Sequence, residues 1–335
     1  MKFNILSYNV FSPVPSPLRF TGQVKRMERI PIALKTVDKE YGIDILLIQE
    51  TIAHRDTLLK GLQKELGFDY FTDPIVHPVA AVSGGIIIAS KTPFTFEKNI
   101  VFKGDCTDAD CLAAKGVVYI KTIKGGITMN VFATHLQALD RPDIRYQQID
   151  QLSSFVKSQN IPENEPYFIG GDLNFDRYAD ISEYEKWLSD TVTQMPPISK
   201  DSQSFTWDSK YNQLVGADGD IRYSECYEEY LNTLICECCD RSWYDYITHG
   251  SLEPISKSIT AIALKMKEPF LVQLGSQKTK MIQDLSDHFP VIAEFEFDTS
   301  EDTKMFIPKK QTDNTFLILS SISFMMLVIM MFIIL

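Results

Sequence analysis

No stretch of this sequence gathers lysine and arginine into a cluster. Over 335 positions, 33 basic residues face 44 acidic ones, a formal net charge of −11. Proteins that grip nucleic acid draw most of their affinity from basic side chains set against phosphates. An acidic chain without such a patch is a poor nucleic-acid binder, so no nucleic-acid partner is expected. The same balance suits a bound cation and a substrate with a positive or zwitterionic head group. The sequence also lacks internal repeats and low-complexity tracts, and its start, Met1-Lys-Phe-Asn-Ile-Leu-Ser, does not read as a secretory signal peptide. Cysteine is scarce. The six fall in two groups, Cys106 and Cys111, then Cys226, Cys236, Cys238 and Cys239, and their spacing matches no zinc-site pattern.

What is present is a globular chain, 44% hydrophobic and 23% charged. Apolar runs of strand length recur at Phe3–Val10, Ile43–Ile48, Gly85–Ala89, Gly116–Ile120, Met129–Thr134, Tyr167–Gly170, Tyr244–Thr248 and Val291–Phe297. Between some of them lie helical patterns. Gln23–Glu40 carries Val24, Met27, Ile30, Leu34 and Val37 at helical spacing, and Thr57–Leu66 and Ile144–Lys157 behave likewise. Consecutive strands from Gly84 to Thr134, with helices elsewhere, predict an α/β fold of two mixed sheets with helices outside. Residues 209–242 read as a polar surface excursion.

The C-terminus has a different composition. Phe316–Leu335 is twenty residues without a charge, Gly or Pro. At a rise of about 1.5 Å per residue this run just spans a ~30 Å hydrocarbon core. It predicts a C-terminal transmembrane helix acting as a tail anchor, reached through a polar linker at 300–315, with the catalytic domain filling 1–299. Lys304, Lys309 and Lys310 precede it, which favours a cytoplasmic body and therefore reduced cysteines.

Polar residues at the C-terminal ends of apolar strands carry the chemical signal. A strand holds such a side chain rigidly where it can reach a cleft. Asn9 ends the first strand, Glu50 follows the second, and His135 follows Val131-Phe-Ala-Thr134. Asp172 and Asn174 close the Tyr167 run and share one face of an extended chain, while Asp287 and His288 precede the last strand. Carboxylate and amide oxygens suit Mg, with Mn or Co as ions that could take its place. Glu50 and Asn9 are the expected metal ligands. Displacement at phosphorus also needs a base and donors to the phosphoryl oxygens. His288 is the candidate base, with Asp245 fixing its tautomer. His135 and Asn174 are candidate donors, and Asp172 a group that positions water. No Cys or Ser stands out as a covalent nucleophile.

Gly170-Gly-Asp-Leu-Asn174 and Ser286-Asp-His-Phe-Pro-Val291, with Asn9 and Gln49-Glu50, resemble the endonuclease/exonuclease/phosphatase superfamily of DNase I-like fold. The resemblance covers about residues 1–298 and implies a four-layer α/β/β/α sandwich and a divalent-metal phosphoesterase. Within it, Cys111-Leu-Ala-Ala-Lys-Gly-Val-Val-Tyr-Ile120, Ala133-Thr-His-Leu-Gln-Ala138 and Ser204-Phe-Thr-Trp-Asp208 look like the neutral sphingomyelinases. That likeness implies Mg-dependent hydrolysis of sphingomyelin, a membrane lipid, to ceramide and phosphocholine. It puts Asn9, Glu50, Asp172, Asn174, Asp287 and His288 in the family's metal and catalytic positions. Lys115 with Asp110 matches a pair held to switch the site in animal members. Cys106 and Cys111 lie where some secreted relatives carry a disulfide.

The chain departs from that pattern in two places. Ser83 stands where bacterial members have an acidic residue beside an edge metal, so that site is not expected here. Pro269-Phe-Leu-Val-Gln-Leu274 occupies the region of an aromatic membrane-dipping hairpin, which is expected to be shortened or absent. Lyso-phospholipid phospholipase C and inositol polyphosphate 5-phosphatase are the alternatives. Cys239-Asp-Arg241 looks like the tail of the latter's Pro-x-Trp-Cys-Asp-Arg motif, but no Pro and Trp precede it and the tripeptide is read as chance. A catalytically inactive, membrane-tethered binding module is the alternative outside enzymology.

Overall fold

A computed structural model of the protein describes residues 1–13, 22–78, 80–215, 240–250, 256–274 and 278–297, and the side chains of 256–259, 270 and 272–280 are left out. These belong to one compact unit, Met1–Thr303. The readings on Cys226, Cys236, Cys238, Cys239, the 300–315 linker and the 316–335 anchor lie outside the described residues. Among the described residues no helix is long and apolar enough to cross a membrane.

The first strand, Lys2–Ser12, shows how the layers arise. Phe3 and Ile5 enter the core between the two sheets, whereas Leu6, Tyr8 and Val10 pack with Met27, Ile30 and Leu34 of the Gln23–Tyr41 helix. Successive strand residues point to opposite faces, so a strand covered on both sides reads as a continuous apolar run. Ile45–Thr51 behaves the same way: Ile45 and Leu47 face the inter-sheet core, Leu46 and Ile48 the helices. The six-stranded sheet runs in the order Ser256–Ala263, Val291–Phe297, Lys2–Ser12, Ile45–Thr51, Ile87–Ser90, Tyr70–Phe71. The helices Gln23–Tyr41 and Arg55–Leu66 cover its outer face.

The second sheet has five strands in the order Asp245–His249, Tyr167–Asp172, Ile127–His135, Gly116–Lys124, Phe94–Val101. Pro142–Ser158 and Ile181–Thr191 pack together outside it, with Phe155 edge-on to Tyr119 and Phe132. The result is the expected α/β/β/α sandwich of two mixed sheets.

Two strand–helix–strand crossovers position the site. Lys2–Ser12 pairs parallel with Ile45–Thr51, and Ile127–His135 pairs parallel with Tyr167–Asp172. Parallel pairing brings both C-terminal ends to the same edge. Asn9 therefore sits opposite Gln49, next to Glu50, and His135 sits opposite Asp172. Asp172 is in turn opposite Asp245 across an antiparallel pair, so Asp245, Asp172 and His135 form one row across three strands.

Two expectations are corrected. The hairpin expected to be shortened or absent is not absent: Lys267–Leu274 pairs antiparallel with Lys278–Asp284, and Pro269 is accommodated at a register shift between Lys267 and Phe270. Across it Leu271 faces Met281, and both are exposed. Cys106 and Cys111, expected as free thiols, are joined by a disulfide that closes the turn Asp108–Leu112.

Candidate active site

The first crossover delivers an amide and a carboxylate. The odd residues of the first strand face the second sheet, so Asn9 continues the face of Phe3 and Ile5 toward Asp172. Its Nδ2 donates to Glu50 Oε1 at 3.0 Å and to Asp172 Oδ2 at 2.9 Å, while its Oδ1 accepts from Phe11 N at 3.0 Å. One amide thus spans carboxylates from both sheets. Glu50 adopts a left-handed backbone, φ 58°, as does Asn174, φ 54°. Such conformations cost on the order of 1–3 kcal/mol each and persist where the surroundings enforce them. Gly85, itself left-handed, lies so close that a Cβ would sit 3.1 Å from Glu50 Cα. Its carbonyl accepts from Thr51 N and Oγ1 at 3.0 and 2.8 Å, which pins the residue after Glu50.

The second crossover delivers Asp172 and His135. Gly171, at φ 147°, allows the two strands to close there, since a Cβ would meet Thr134 O at 1.9 Å. Asp172 Oδ1 accepts from Asn174 N at 3.0 Å, an Asx turn that returns the Asn174 side chain to Leu136 O at 3.0 Å. Asp172 Oδ2 lies 3.7 Å from His135 Nε2 and 3.6 Å from His288 Nε2.

His288 comes from the loop before the last strand. Its Nδ1 hydrogen-bonds Asp245 Oδ2 at 2.7 Å, which makes Nδ1 the protonated nitrogen. The loop is fastened by Ser286, whose Oγ donates to Asn9 O at 2.6 Å and accepts from His288 N at 3.3 Å. Behind it the buried Arg26 guanidinium donates to Val10 O and Leu285 O at 2.8 and 2.9 Å. Arg26 was missed in the sequence, where it reads as one more polar position on a helix.

Lys115 is buried rather than a solvated strand-edge lysine. Its Nζ reaches Asp110 Oδ2 at 2.7 Å, Leu136 O at 2.6 Å and His135 Nε2 at 3.3 Å. An ammonium has three protons, and these three partners take them all. His135 Nε2 is therefore engaged by Lys115. Asp110 also accepts from Ala138 N at 2.7 Å, tying the disulfide-closed turn to the strand end.

The electrostatics divide the site. Burial, then the Asp287 carboxylate, push the Glu50 carboxyl up to about 7. Burial likewise raises Asp287. Burial and the Lys115 ammonium hold His135 down to about 3, a neutral imidazole. At His288 burial pulls downward, but Asp245, Asp172 and Asp287 together outweigh it and lift the imidazole well above its ordinary value.

Glu50, His135 and Asp172 place ligand atoms within 4.8 Å of one another, and so do Asp172, Asp245 and His288. Clustered carboxylates, Asp172 and Asp245 buried and Glu50 half-buried and raised in pKa, fit a hard cation that takes oxygen ligands. Arg241, whose likeness to the tail of a phosphatase motif is read as chance, pairs with Asp208 at 2.9 Å and covers the Phe205 ring.

The chain is 26% identical to sphingomyelinase C 2 of Leptospira interrogans serogroup Icterohaemorrhagiae serovar Lai, over 94% of this chain and 50% of that protein, so it spans about half that relative's length. It is 28% identical to the sphingomyelinase C of Listeria ivanovii, over 87% of this chain and 85% of that one. Among solved structures, a Staphylococcus aureus beta toxin mutant with bound magnesium ions superposes with a TM-score of 0.72 at 26% identity, covering 88% of this chain and 100% of that one. Residues 6–220 match the endonuclease/exonuclease/phosphatase family, and the chain belongs to that family.

Proposed function

We propose that the chain is a Mg-dependent phosphodiesterase of phospholipase C type, hydrolysing sphingomyelin to ceramide and phosphocholine by direct attack of water. The observation that carries this is the 2.7 Å Asp245–His288 pair aimed, through Asp172, at carboxylates braced by Asn9. His288 Nε2 takes the proton of the attacking water while Asp245 holds Nδ1–H and steadies the imidazolium. Asp172, beside Nε2, orients that water. The new P–O bond forms as the P–O bond to ceramide breaks, and the ceramide oxygen takes up a proton from solvent. Asn174 and the His135–Lys115 edge face the charge that develops on the phosphoryl oxygens. Mg held by Glu50, with Asp287 adding charge, would polarise a phosphoryl oxygen and offset the negative field around His288. Asn9, expected as a second ligand, instead turns its Nδ2 to Glu50 and gives its Oδ1 to Phe11 N, so it would brace the carboxylates unless its amide turns over.

The lipid reading is supported by the sphingomyelinase relatives, the magnesium in the beta toxin, and the apolar pair Leu271 and Met281 exposed on the hairpin. We take 316–335 to be a tail anchor, which would raise the effective concentration of the site at its substrate. The Cys106–Cys111 disulfide favours an oxidising compartment for the body, the reverse of the side inferred from Lys304, Lys309 and Lys310. Free thiols at both positions in protein trapped from cells would restore the cytoplasmic placement.

One experiment tests the reading. Purified protein with Mg is offered sphingomyelin, phosphatidylcholine, a lyso-lipid, an inositol phosphate and DNA, with and without residues 316–335. Phosphocholine release from sphingomyelin, lost in EDTA, is expected, and deletion should move the protein from membrane to soluble fraction. Cleavage of DNA or inositol phosphate in preference would overturn the substrate assignment, and a deleted protein still held on membranes would overturn the anchor.

A further inference from the structure

The Ser204-Phe-Thr-Trp-Asp208 segment has no part in the chemistry above, yet it is laced to the base. Trp207 forms an isolated antiparallel bridge with His288, which sets the two side chains on the same face as direct cross-strand neighbours. Thr206 Oγ1 accepts from Tyr244 N at 2.9 Å and from Asp245 N at 3.2 Å, and Thr206 O accepts from Phe289 N at 2.6 Å. Three segments are thereby fixed against one another: 206–207, 244–245 with the orienting carboxylate, and 288–289 with the base. The Trp207 and Tyr244 rings lie 5.9 Å apart at 49°, and Tyr244 lies 6.4 Å from the His288 ring.

These two rings differ from the aromatics around them. Trp187 and Trp243 are fully buried, whereas Trp207 and Tyr244 are only partly so. Arg177 covers Trp243 at 5.6 Å and Arg241 covers Phe205 at 4.4 Å. Among the described residues, no lysine or arginine is seated over Trp207 or Tyr244. Burial is the main cause that raises the Tyr244 phenol and a hydrogen bond with Ser242 opposes it, while Asp172, Asp176 and Asp180 add a negative field that raises it further. Two partly exposed π-faces in a negative field, with no described cation over them, stand beside the group that handles the water.

We propose that Trp207 and Tyr244 form the platform that seats the quaternary ammonium of the substrate, and so select a choline over an ethanolamine head group. This rests on the phosphodiesterase reading and adds the head-group specificity to it. The head group hangs from a phosphoryl oxygen that neither attacks nor leaves, so it lies beside the line from water to ceramide oxygen. Only two carbons separate that oxygen from the nitrogen, which keeps the ammonium next to the base. A trimethylammonium has no proton to donate, and its diffuse charge gains from ring faces. A primary ammonium gains more from water and from hydrogen-bond acceptors than from ring faces.

The test is the ratio of kcat/KM on sphingomyelin to that on ceramide phosphoethanolamine in the same micelles. Wild type should favour choline. Trp207→Ala should lower the ratio about threefold to thirtyfold, the range for a desolvated cation over an indole, with Trp207→Phe between. If both rates fall together and the ratio holds, Trp207 only braces the base loop and the proposal is overturned. Should Trp207→Ala not fold, wild type decides alone: phosphocholine should inhibit it more tightly than phosphoethanolamine, and equal inhibition overturns the platform. Hydrolysis of both lipids at equal rates refutes the platform and leaves the phosphodiesterase reading standing. Hydrolysis of neither lipid refutes that reading and the platform with it.

Discussion

Two histidines stand on either side of Asp172, at 3.6 and 3.7 Å from the same oxygen, and both are almost fully buried. Burial acts on both in the same direction, against the charged form. They nevertheless end up at opposite extremes, His288 well above its ordinary value and His135 at about 3. The difference lies in the next neighbour outward. His288 has the Asp245 carboxylate on its other ring nitrogen, whereas His135 has the Lys115 ammonium at 3.3 Å. Residue type and burial leave the roles undecided, and the sign of the adjacent charge assigns them. One edge of the site favours a protonated imidazole. The other is built to stay neutral while presenting positive charge.

The largest effect should come from removing the charge that makes His288 basic. Asp245→Asn keeps the shape but cannot accept Nδ1–H in the same way, and should cut kcat by about 10²–10⁴-fold. It should also bring the His288 titration, followed by NMR, down from its raised value. A variant with near-wild-type turnover would remove His288 as the base.

The opposite edge is broken at Lys115. Lys115→Met takes the ammonium from His135, whose pKa should rise, though burial still holds it below an exposed imidazole. Activity should fall about a hundredfold through the lost positive field at the phosphoryl oxygens. Lys115→Arg should recover part of it. If His135 titrates unchanged in Lys115→Met, the neighbour-charge account of that edge is wrong.

Much of this site was legible because it lies at strand ends. Asn9, Glu50, His135, Asp172 and Asp287-His288 each close or precede an apolar run, and the fold brings those ends to one edge through parallel pairing. Asp245, the candidate orienter, was legible as a partner of His288 because it starts a short apolar run of its own. The electrostatic split was not, since it depends on which charge lies across a sheet. Some elements were hidden for local reasons. Phe94–Val101 is an edge strand with an almost wholly exposed or half-exposed face, so it shows no apolar alternation. Ile181–Thr191 turns Glu183 inward to meet Arg145 at 2.6 Å, which breaks the apolar stripe that would mark a helix. The hairpin's presence was not legible from its lack of aromatics, since β-sheet pairing needs only alternation and a permissive site for Pro269.

The smallest effect concerns the cation that both edges frame. Burial raises Glu50 from an ordinary value of 4.5 to about 7, so below that pH Mg must displace a proton from its carboxylate. The apparent Mg affinity should fall about tenfold per pH unit below about 7 and be flat above it, with one proton released on binding at the lower pH. The stability of the metal-free protein follows the same shift. A raised carboxyl contributes most below its unfolded value, and that contribution is lost as pH rises through the folded one. Metal-free protein should therefore lose melting temperature between about pH 5 and about pH 8 on this group's account, and Mg should restore it at the upper end. Calorimetric titration with Mg across that range is the check, and an affinity indifferent to pH would remove Glu50 as the ligand. Mg should also lower the His288 titration, because the added charge opposes the carboxylate field that raises it. His135, already held neutral by burial and Lys115, should move far less, so the cation narrows the gap between the two histidines from the His288 side.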